Sequence, residues 1–195
     1  MQYIKGIENY KNDNRTVITL GKFDGLHLGH ELLISRVIEH QKQDEVDSVV
    51  FAFDMAPLYE KKNLAYERLL GNEEKAAKLD GRVDYFVECP FVDSIAKIEP
   101  EAFIEEILVK VFHAKYIVVG TDFRFGYNRR GEVQMLRDYS EKYNFQVEAI
   151  EKKQYHGREI SSTYIKEELK KGNISTAEEL LGYEYHSAKN ESFEE

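Results

Sequence analysis

Short apolar runs alternate along the chain with segments whose apolar residues recur at helical spacing. Val17-Ile18-Thr19-Leu20 predicts a first strand closed by Gly21, with Asn12-Asp13-Asn14 ahead of it as a polar turn. Lys22 to Gly29 reads as a loop. Gly21, Gly25 and Gly29 put three glycines in nine positions there, which suits a backbone that approaches something closely. Leu32, Leu33, Arg36, Val37 and His40 predict a helix from about Gly29 to His40. Val49 to Phe53 is nearly all apolar, as in a strand buried on both faces of a parallel sheet. Asn72 to Leu79 predicts a helix with Asn72 as its N-cap. Asp84 to Val87 is a third strand, ended by Cys89-Pro90.

Pro100 opens a further helix, where a missing N–H costs little, and Phe103, Ile104, Ile107, Leu108 and Val111 continue it. Tyr116 to Val119 is a fourth strand, closed by Gly120, and Phe145 to Ile150 a fifth, with a helix predicted between them over Gly131 to Tyr143. Ser161-Ser162-Thr163 precedes a helix from Tyr164 to Lys171, and a last helix runs from Ser175 to Leu181. Five strands in alternation with helices predict an α/β fold: a five-stranded, mainly parallel sheet, helices on both faces, right-handed crossovers. Ligands of such sheets sit at the carboxyl ends of strands, and the unusual residues of this chain lie at those ends.

Composition narrows the function classes. A chain of 195 residues fits one domain, expected over 1–186 with a polar tail over 187–195. The net charge of −9 argues against a nucleic-acid partner, while leaving room for a locally positive pocket. Thirteen Tyr and eleven Phe supply a sizeable core, and Cys89, the only cysteine, reads as a small buried apolar group. No run of about 18 apolar residues is present, so no membrane span is expected. The polar start, MQYIKGIENYKNDNR, lacks a signal-peptide core, and the expected compartment is the cytoplasm. Oligomeric state is not legible.

Three segments carry chemistry. Gly21-Lys22-Phe23-Asp24-Gly25-Leu26-His27-Leu28-Gly29-His30 places two histidines where a strand gives way to a helix. A helix N-terminus offers free N–H groups and partial positive charge to a phosphate, and imidazoles add donors that follow charge onto its oxygens. The same histidines could simply cap a helix, and a metal site lacks a third ligand at suitable spacing. Gly120 to Gly131 packs arginines and aromatics, including Phe123, Arg124 and Phe125, after a buried strand; one of the two phenylalanines is expected in the core. Glu159 to Lys166 sets three hydroxyls before a helix with Lys166 one turn inside, either ordinary caps or a second phosphate clamp facing the first.

These motifs, in this order, resemble the adenylyltransferase module of bacterial bifunctional riboflavin kinase/FMN adenylyltransferases, the FAD synthetases, from about Val17 to Tyr185. The resemblance implies a Rossmann-like nucleotidyltransferase fold and the reaction of FMN with MgATP to give FAD and pyrophosphate. It implies that His27, His30 and Lys166 are catalytic, and that Gly21, Phe23, Asp24, Gly25, Gly29, Ser162 and Thr163 form the ATP phosphate site. Asp122, Phe123, Arg124, Phe125 and Gly126 shape the flavin and nucleotide pocket, and Mg²⁺ arrives with ATP rather than on protein ligands. The chain departs from the family pattern at Lys22, where asparagine is usual, at Ala56, where histidine is usual, and at Lys166, where arginine is usual. Those departures keep two alternatives open: a different phosphorylated acceptor, or a binding paralogue with weakened catalysis. The kinase module's Pro-Thr-Ala-Asn motif is not found, so riboflavin phosphorylation is not expected. Neither histidine reads as core, so replacing either is expected to leave stability almost unchanged.

Overall fold

The computed structural model describes residues 1–186. The tail expected over 187–195 lies outside the described residues. The first elements are β1 (Gln2–Lys5), β2 (Thr16–Gly21), α1 (Leu28–Asp44), β3 (Asp47–Asp54), α2 (Ala56–Lys61), α3 (Asn72–Leu79) and β4 (Tyr85–Pro90). Then come α4 (Asp93–Ala96), α5 (Pro100–Ala102), a π-helix over Phe103–Val111, and β5 (Ala114–Gly120). The hairpin β6 (Arg124–Phe125) and β7 (Gly131–Glu132) leads to α6 (Val133–Tyr143) and β8 (Gln146–Ile150). A second hairpin, β9 (Gln154–Tyr155) and β10 (Arg158–Glu159), precedes α7 (Ser162–Lys170) and α8 (Ile174–Leu181).

Six parallel strands form one sheet in the order β1-β4-β3-β2-β5-β8. The five expected strands are all present, and β1 adds a sixth at the edge. With only Tyr3 and Ile4 half-buried between exposed Gln2 and Lys5 it left no apolar run to read, yet Tyr3 stacks on Phe86 at 5.1 Å. Alternate residues of each central strand face opposite ways. Val17, Val50, Ala52, Phe86 and Val118 meet Ile34 and Val37 of α1 and Ala76 and Leu79 of α3. Ile18, Val49, Phe51, Ile117 and Val119 meet Phe103, Ile104 and Leu108 of the π-helix and Leu136 of α6. Helices therefore cover both faces, and Cys89 is buried in β4.

Three local expectations are corrected. Helix α3 is capped by Gly71, whose N–H donates to Glu74 Oε2 at 2.6 Å, and not by Asn72, whose side chain is bonded to Lys75. The stretch after Pro100 widens into a π-helix after one turn. Its buried residues recur at a spacing of four (Phe103 and Ile107, Ile104 and Leu108), which suits the wider coil. Gly131 and Glu132 pair with Phe125 and Arg124 as a strand, and the helix starts only at Val133; a Cβ at Gly131 would stand 2.7 Å from the Phe125 ring.

Strand order reverses beside β2: the chain runs outward through β3 and β4 on one side and through β5 and β8 on the other. The loops after β2 and β5 thus open a crevice at the carboxyl edge, the usual ligand position in open α/β sheets.

Candidate active site

The loop after β2 is drawn inward by Phe23 and Leu26, both buried. Phe23, Gly25 and Leu26 all have positive φ. A Cβ at Gly25 would meet Leu69 at 2.9 Å, so this tight turn needs glycine on both counts. His27 then caps α1: its Nδ1 accepts from the Gly29 N–H at 3.2 Å. The capping reading of the histidine pair is therefore correct for His27, and it fixes the tautomer. With Nδ1 accepting, the proton of the neutral ring sits on Nε2 and is free to donate.

The His27 and His30 rings stack at 3.7 Å, and Phe23 lies 5.0 Å from His30. His27 is only 5% exposed, and His30 Nδ1 is buried without a hydrogen-bond partner. Burial lowers His27 to about 4 against the opposing pull of Asp24. Burial, then His27 and Lys75, holds His30 well below the ordinary histidine range. Both rings are neutral at neutral pH. Their packing also corrects the expectation that neither belongs to the interior.

Asp24 ties this loop to the third segment. Its Oδ1 accepts from the Leu69 N–H at 2.7 Å and its Oδ2 from Lys166 Nζ at 2.5 Å, while Ser162 Oγ donates to its carbonyl at 2.8 Å. Lys166 Nζ also donates to the Glu67 carbonyl at 2.6 Å, so it is no solvated surface lysine. Ser161 is the N-cap of α7, and Thr163 is exposed on its first turn. A Cβ on Gly29 would lie 3.1 Å from the His27 ring and 3.5 Å from the Ile160 carbonyl, so glycine lets the two motifs meet. Behind them, Tyr183 donates to the Gly25 carbonyl at 2.6 Å, and Gly182 lies against Leu28.

The second segment divides its duties. Phe125 is buried against Phe103, and Phe123 stacks on it at 5.7 Å, half-buried. Gly126, at φ 70, abuts Pro100. Asp122 pairs with Lys152 at 2.7 Å, Arg124 with Glu132 and Arg130 with Glu99. Arg129 has no carboxylate partner among the described residues, and it is close enough to depress Lys22. Partial enclosure of the Lys22 ammonium, then Arg129, then Lys166, keeps it below the ordinary lysine range. Lys22 is therefore within electrostatic reach of cations from the other two segments, on a chain of net charge −9.

Sequence reasoning passed over Lys75, Arg68 and the place of Arg129. Lys75 is buried on α3 beside Ala76 and Leu79, and a lysine one helical turn from Leu79 on the apolar side was the available signal. Arg68 lies 3.9 Å from Asp54 and over the Tyr66 ring, which packs on Tyr59. In the departing segment after β3, Met55 is buried and the Ala56 N–H donates to Asp54. A depression of about 660 Å³ lined by Tyr10, Asn12, Lys110 and His113 lies at the opposite, amino edge of the sheet and shares no residue with the motifs. Among the described residues no three His, Cys, Asp or Glu side chains cluster as a metal would require, and no helix is long and apolar enough to cross a membrane.

Neutral imidazole donors at a helix N-terminus, nearby cations and a switch-point crevice define an α/β protein with a site suited to phosphate. More narrowly, the chain belongs to the FAD synthetase family, whose model matches residues 9–164. It is 36% identical over 185 residues to a bifunctional riboflavin kinase/FMN adenylyltransferase of Buchnera aphidicola, covering 93% of this chain and 59% of that one. It is 31% identical to an FAD synthetase of Listeria monocytogenes, covering 90% and 72% of the two. A crystal structure of a Streptococcus pneumoniae protein described as a macrolide-efflux protein superposes with a TM-score of 0.82 at 25% identity, over 94% of this chain and 62% of that one. The chain spans about three-fifths of the length of the bifunctional Buchnera relatives.

Proposed function

We propose that residues 1–186 form an FMN adenylyltransferase that uses MgATP and FMN and releases FAD and pyrophosphate. The observation that carries this reading is the junction at Asp24. One buried carboxylate holds the histidine loop and Lys166 together, so that the motif opening α1 meets the motif opening α7, with Lys22 in electrostatic reach of Arg129 and Lys166.

An FMN phosphate oxygen attacks the α-phosphorus of ATP in line. The new P–O bond forms as the bond from the α-phosphorus to the bridging oxygen breaks, and pyrophosphate takes that electron pair. His27 donates through Nε2–H and His30 stands beside it, both neutral, so they stabilise oxygens gaining charge without surrendering a proton. The free N–H groups at the start of α1 and of α7 face the phosphates, with Ser162 and Thr163 at the second. Lys22, Arg129 and Lys166 balance the charge of the departing pyrophosphate. Asp122 to Gly126 border the flavin, with Phe125 as the buried support of Phe123. Mg²⁺ would enter with the nucleotide, held by its phosphate oxygens, and would supply neutralising charge there. The acidic surface suits a small-molecule enzyme, and the supply of ATP and FMN places it in the cytoplasm.

The test is incubation of the pure chain with FMN, ATP and Mg²⁺. Stoichiometric FAD and pyrophosphate over many turnovers is the expected result. Tight nucleotide binding without product would leave a binding paralogue, and turnover with another phosphorylated acceptor but not FMN would reassign the substrate.

A further inference from the structure

Arg68 stands on a clamped piece of backbone. The carbonyl of Glu67, in the peptide group ahead of it, accepts from Lys166 Nζ at 2.6 Å. The N–H of Leu69, in the peptide group after it, donates to Asp24 Oδ1 at 2.7 Å. Both peptide groups that flank the Arg68 Cα are thus bonded to side chains of the first and third motifs. The guanidinium itself is left over. Among the described residues the one carboxylate oxygen within 4 Å is Asp54 Oδ1, at 3.9 Å, beyond hydrogen-bond range, and that oxygen already accepts from the Ala56 N–H at 3.0 Å. Glu73, Glu74 and Glu88 border a depression of about 380 Å³ that Arg68 also lines, but they hold Lys5, the Gly71 N–H and Tyr3. The Tyr66 ring lies against the guanidinium at 5.3 Å and packs on Tyr59 at 4.7 Å, which supports one face of the cation. Asp54 closes β3, the strand beside β2, so this cation stands at the carboxyl edge of the sheet next to the histidine loop. Phe53, one residue earlier and on the other face of the strand, shares Phe103 with Phe125, the support of Phe123. Aromatic surface for a flat ring and a free guanidinium therefore meet at the end of β3.

The geometry points to Arg68 as the residue that grips the phosphate of the acceptor, a phosphomonoester, and holds it for attack. This rests on the reading of the chain as an adenylyltransferase. A phosphomonoester dianion brought up to a triphosphate is repelled by it, and the cations assigned to the triphosphate come from the loop after β2, the loop after β5 and α7. Arg68 comes from the segment after β3 and is committed to none of these. A planar guanidinium binds two phosphate oxygens at once and leaves the third to attack. Because the peptide groups on either side of Arg68 are fixed to Asp24 and Lys166, the nucleophile it holds is oriented by the same junction that shapes the histidine loop. The phosphate also becomes the feature by which the acceptor is chosen: a flavin that lacks it offers the guanidinium nothing to bond.

In the full chain, quenching of flavin fluorescence gives the Kd of FMN and of riboflavin for the wild type, Arg68→Gln and Arg68→Lys, each checked for a cooperative thermal transition. The wild type is expected to bind FMN about tenfold or more tightly than riboflavin, and Arg68→Gln to bind the two within about twofold of each other, its riboflavin affinity unchanged. Arg68→Lys, which keeps the charge and loses the fork, should give up about threefold or more of the preference. In the FAD-forming assay kcat/KM for FMN should fall about 10- to 100-fold in Arg68→Gln, with the KM for ATP within about twofold of wild type. A preference for FMN kept in full by either folded variant overturns the proposal, as does a wild type that binds the two flavins equally. Equal loss of FMN and riboflavin, the mark of a side chain that only braces its segment, overturns it too. So does a KM for ATP that rises together with that for FMN, which would put Arg68 on the triphosphate. A chain that makes FAD and passes none of these tests defeats Arg68 alone; a wild type that binds neither flavin and makes no FAD defeats the functional reading and the proposal with it.

Discussion

At the amino end of α1, His27 and His30 stack on one another, and among the described residues no carboxylate is bonded to either. At its carboxyl end His40 meets Glu148 at 2.9 Å, lies flat on Tyr116 at 4.1 Å, and shares Glu148 with Arg36 at 2.7 Å. Tyr116 in turn donates to Asp44 at 2.5 Å. One helix therefore carries its histidines in two opposite settings. The carboxyl end is settled internally, each polar group answered by a neighbour except His40 Nδ1. The amino end is deliberately open: its partial positive charge disfavours protonating the rings and favours an anion arriving from outside. Residue type alone does not separate the two settings; the partners do.

The sharpest way to break this contrast is to remove one histidine from each end. His30→Ala should lower the FAD-forming turnover by about 10²–10³, the usual loss for one donor to a developing oxyanion. His40→Ala should leave turnover within about twofold and reduce stability by about 1–3 kcal/mol, since Glu148 and Tyr116 lose a buried partner. Steady-state kinetics and urea unfolding of both variants check the pair, and equal kinetic damage at the two ends would erase the distinction.

A next effect in size is expected at Lys166. Lys166→Ala strands a buried Asp24 carboxylate and should cost about 3 kcal/mol, together with much of the activity. Lys166→Arg keeps the pair with Asp24 and has donors left over for phosphate, so its stability should match the wild type and its turnover should equal or exceed it. Thermal unfolding and kinetics of the two variants separate a shared clamp from a brace; identical behaviour of all three proteins would remove Lys166 from both roles.

The smallest effect is a slope. His27 has a folded pKa of about 4, below its unfolded value of 6.5. Between those values the unfolded chain binds the extra proton, so stability rises with pH. The contribution is complete above 6.5 and is lost as pH falls toward 4. From 6.5 down to pH 5 the loss should be about 2 kcal/mol. His27→Asn keeps an N-cap and removes the titration, so its stability curve should be flatter across that range; a parallel curve would contradict a buried neutral His27.

Much of the fold was readable because buried parallel strands are written as unbroken apolar runs, as Val49 to Phe53 shows. Gln2 to Lys5 was not readable, because an edge strand with two exposed positions in four resembles a polar terminus. The wide helical turn after Phe103 left no trace, since its buried residues fit a tighter helix nearly as well. At the site, the glycines and histidines of the first motif and the hydroxyls of the third were the sequence signals for the phosphate site proposed above. What sequence could not supply was who neutralises whom: that Asp24 is occupied by Lys166 and Leu69, that Arg124 and Arg130 are paired while Arg129 is not among the described residues, and that Lys75 is enclosed. The bonds of Asp24 to Ser162 and Lys166 span more than a hundred residues of chain, and the shorter pairings depend on which of several equivalent carboxylates each cation meets.

The bond from Tyr183 to the Gly25 carbonyl closes a sequence separation of 158 residues. A ribosome delivers the histidine loop early and its far brace almost at the end of the described chain. Through most of synthesis the early strands can pair, because their partners are near in sequence and emerge soon after them. The loop between β2 and α1 has to wait, first for Lys166 and Ser162 and last for Tyr183. Among the described contacts, the Tyr183 bond is the last that this loop acquires as the chain emerges. A nascent polypeptide long enough to show the whole first motif still lacks the contacts from Ser162, Lys166 and Tyr183 that hold the loop in shape.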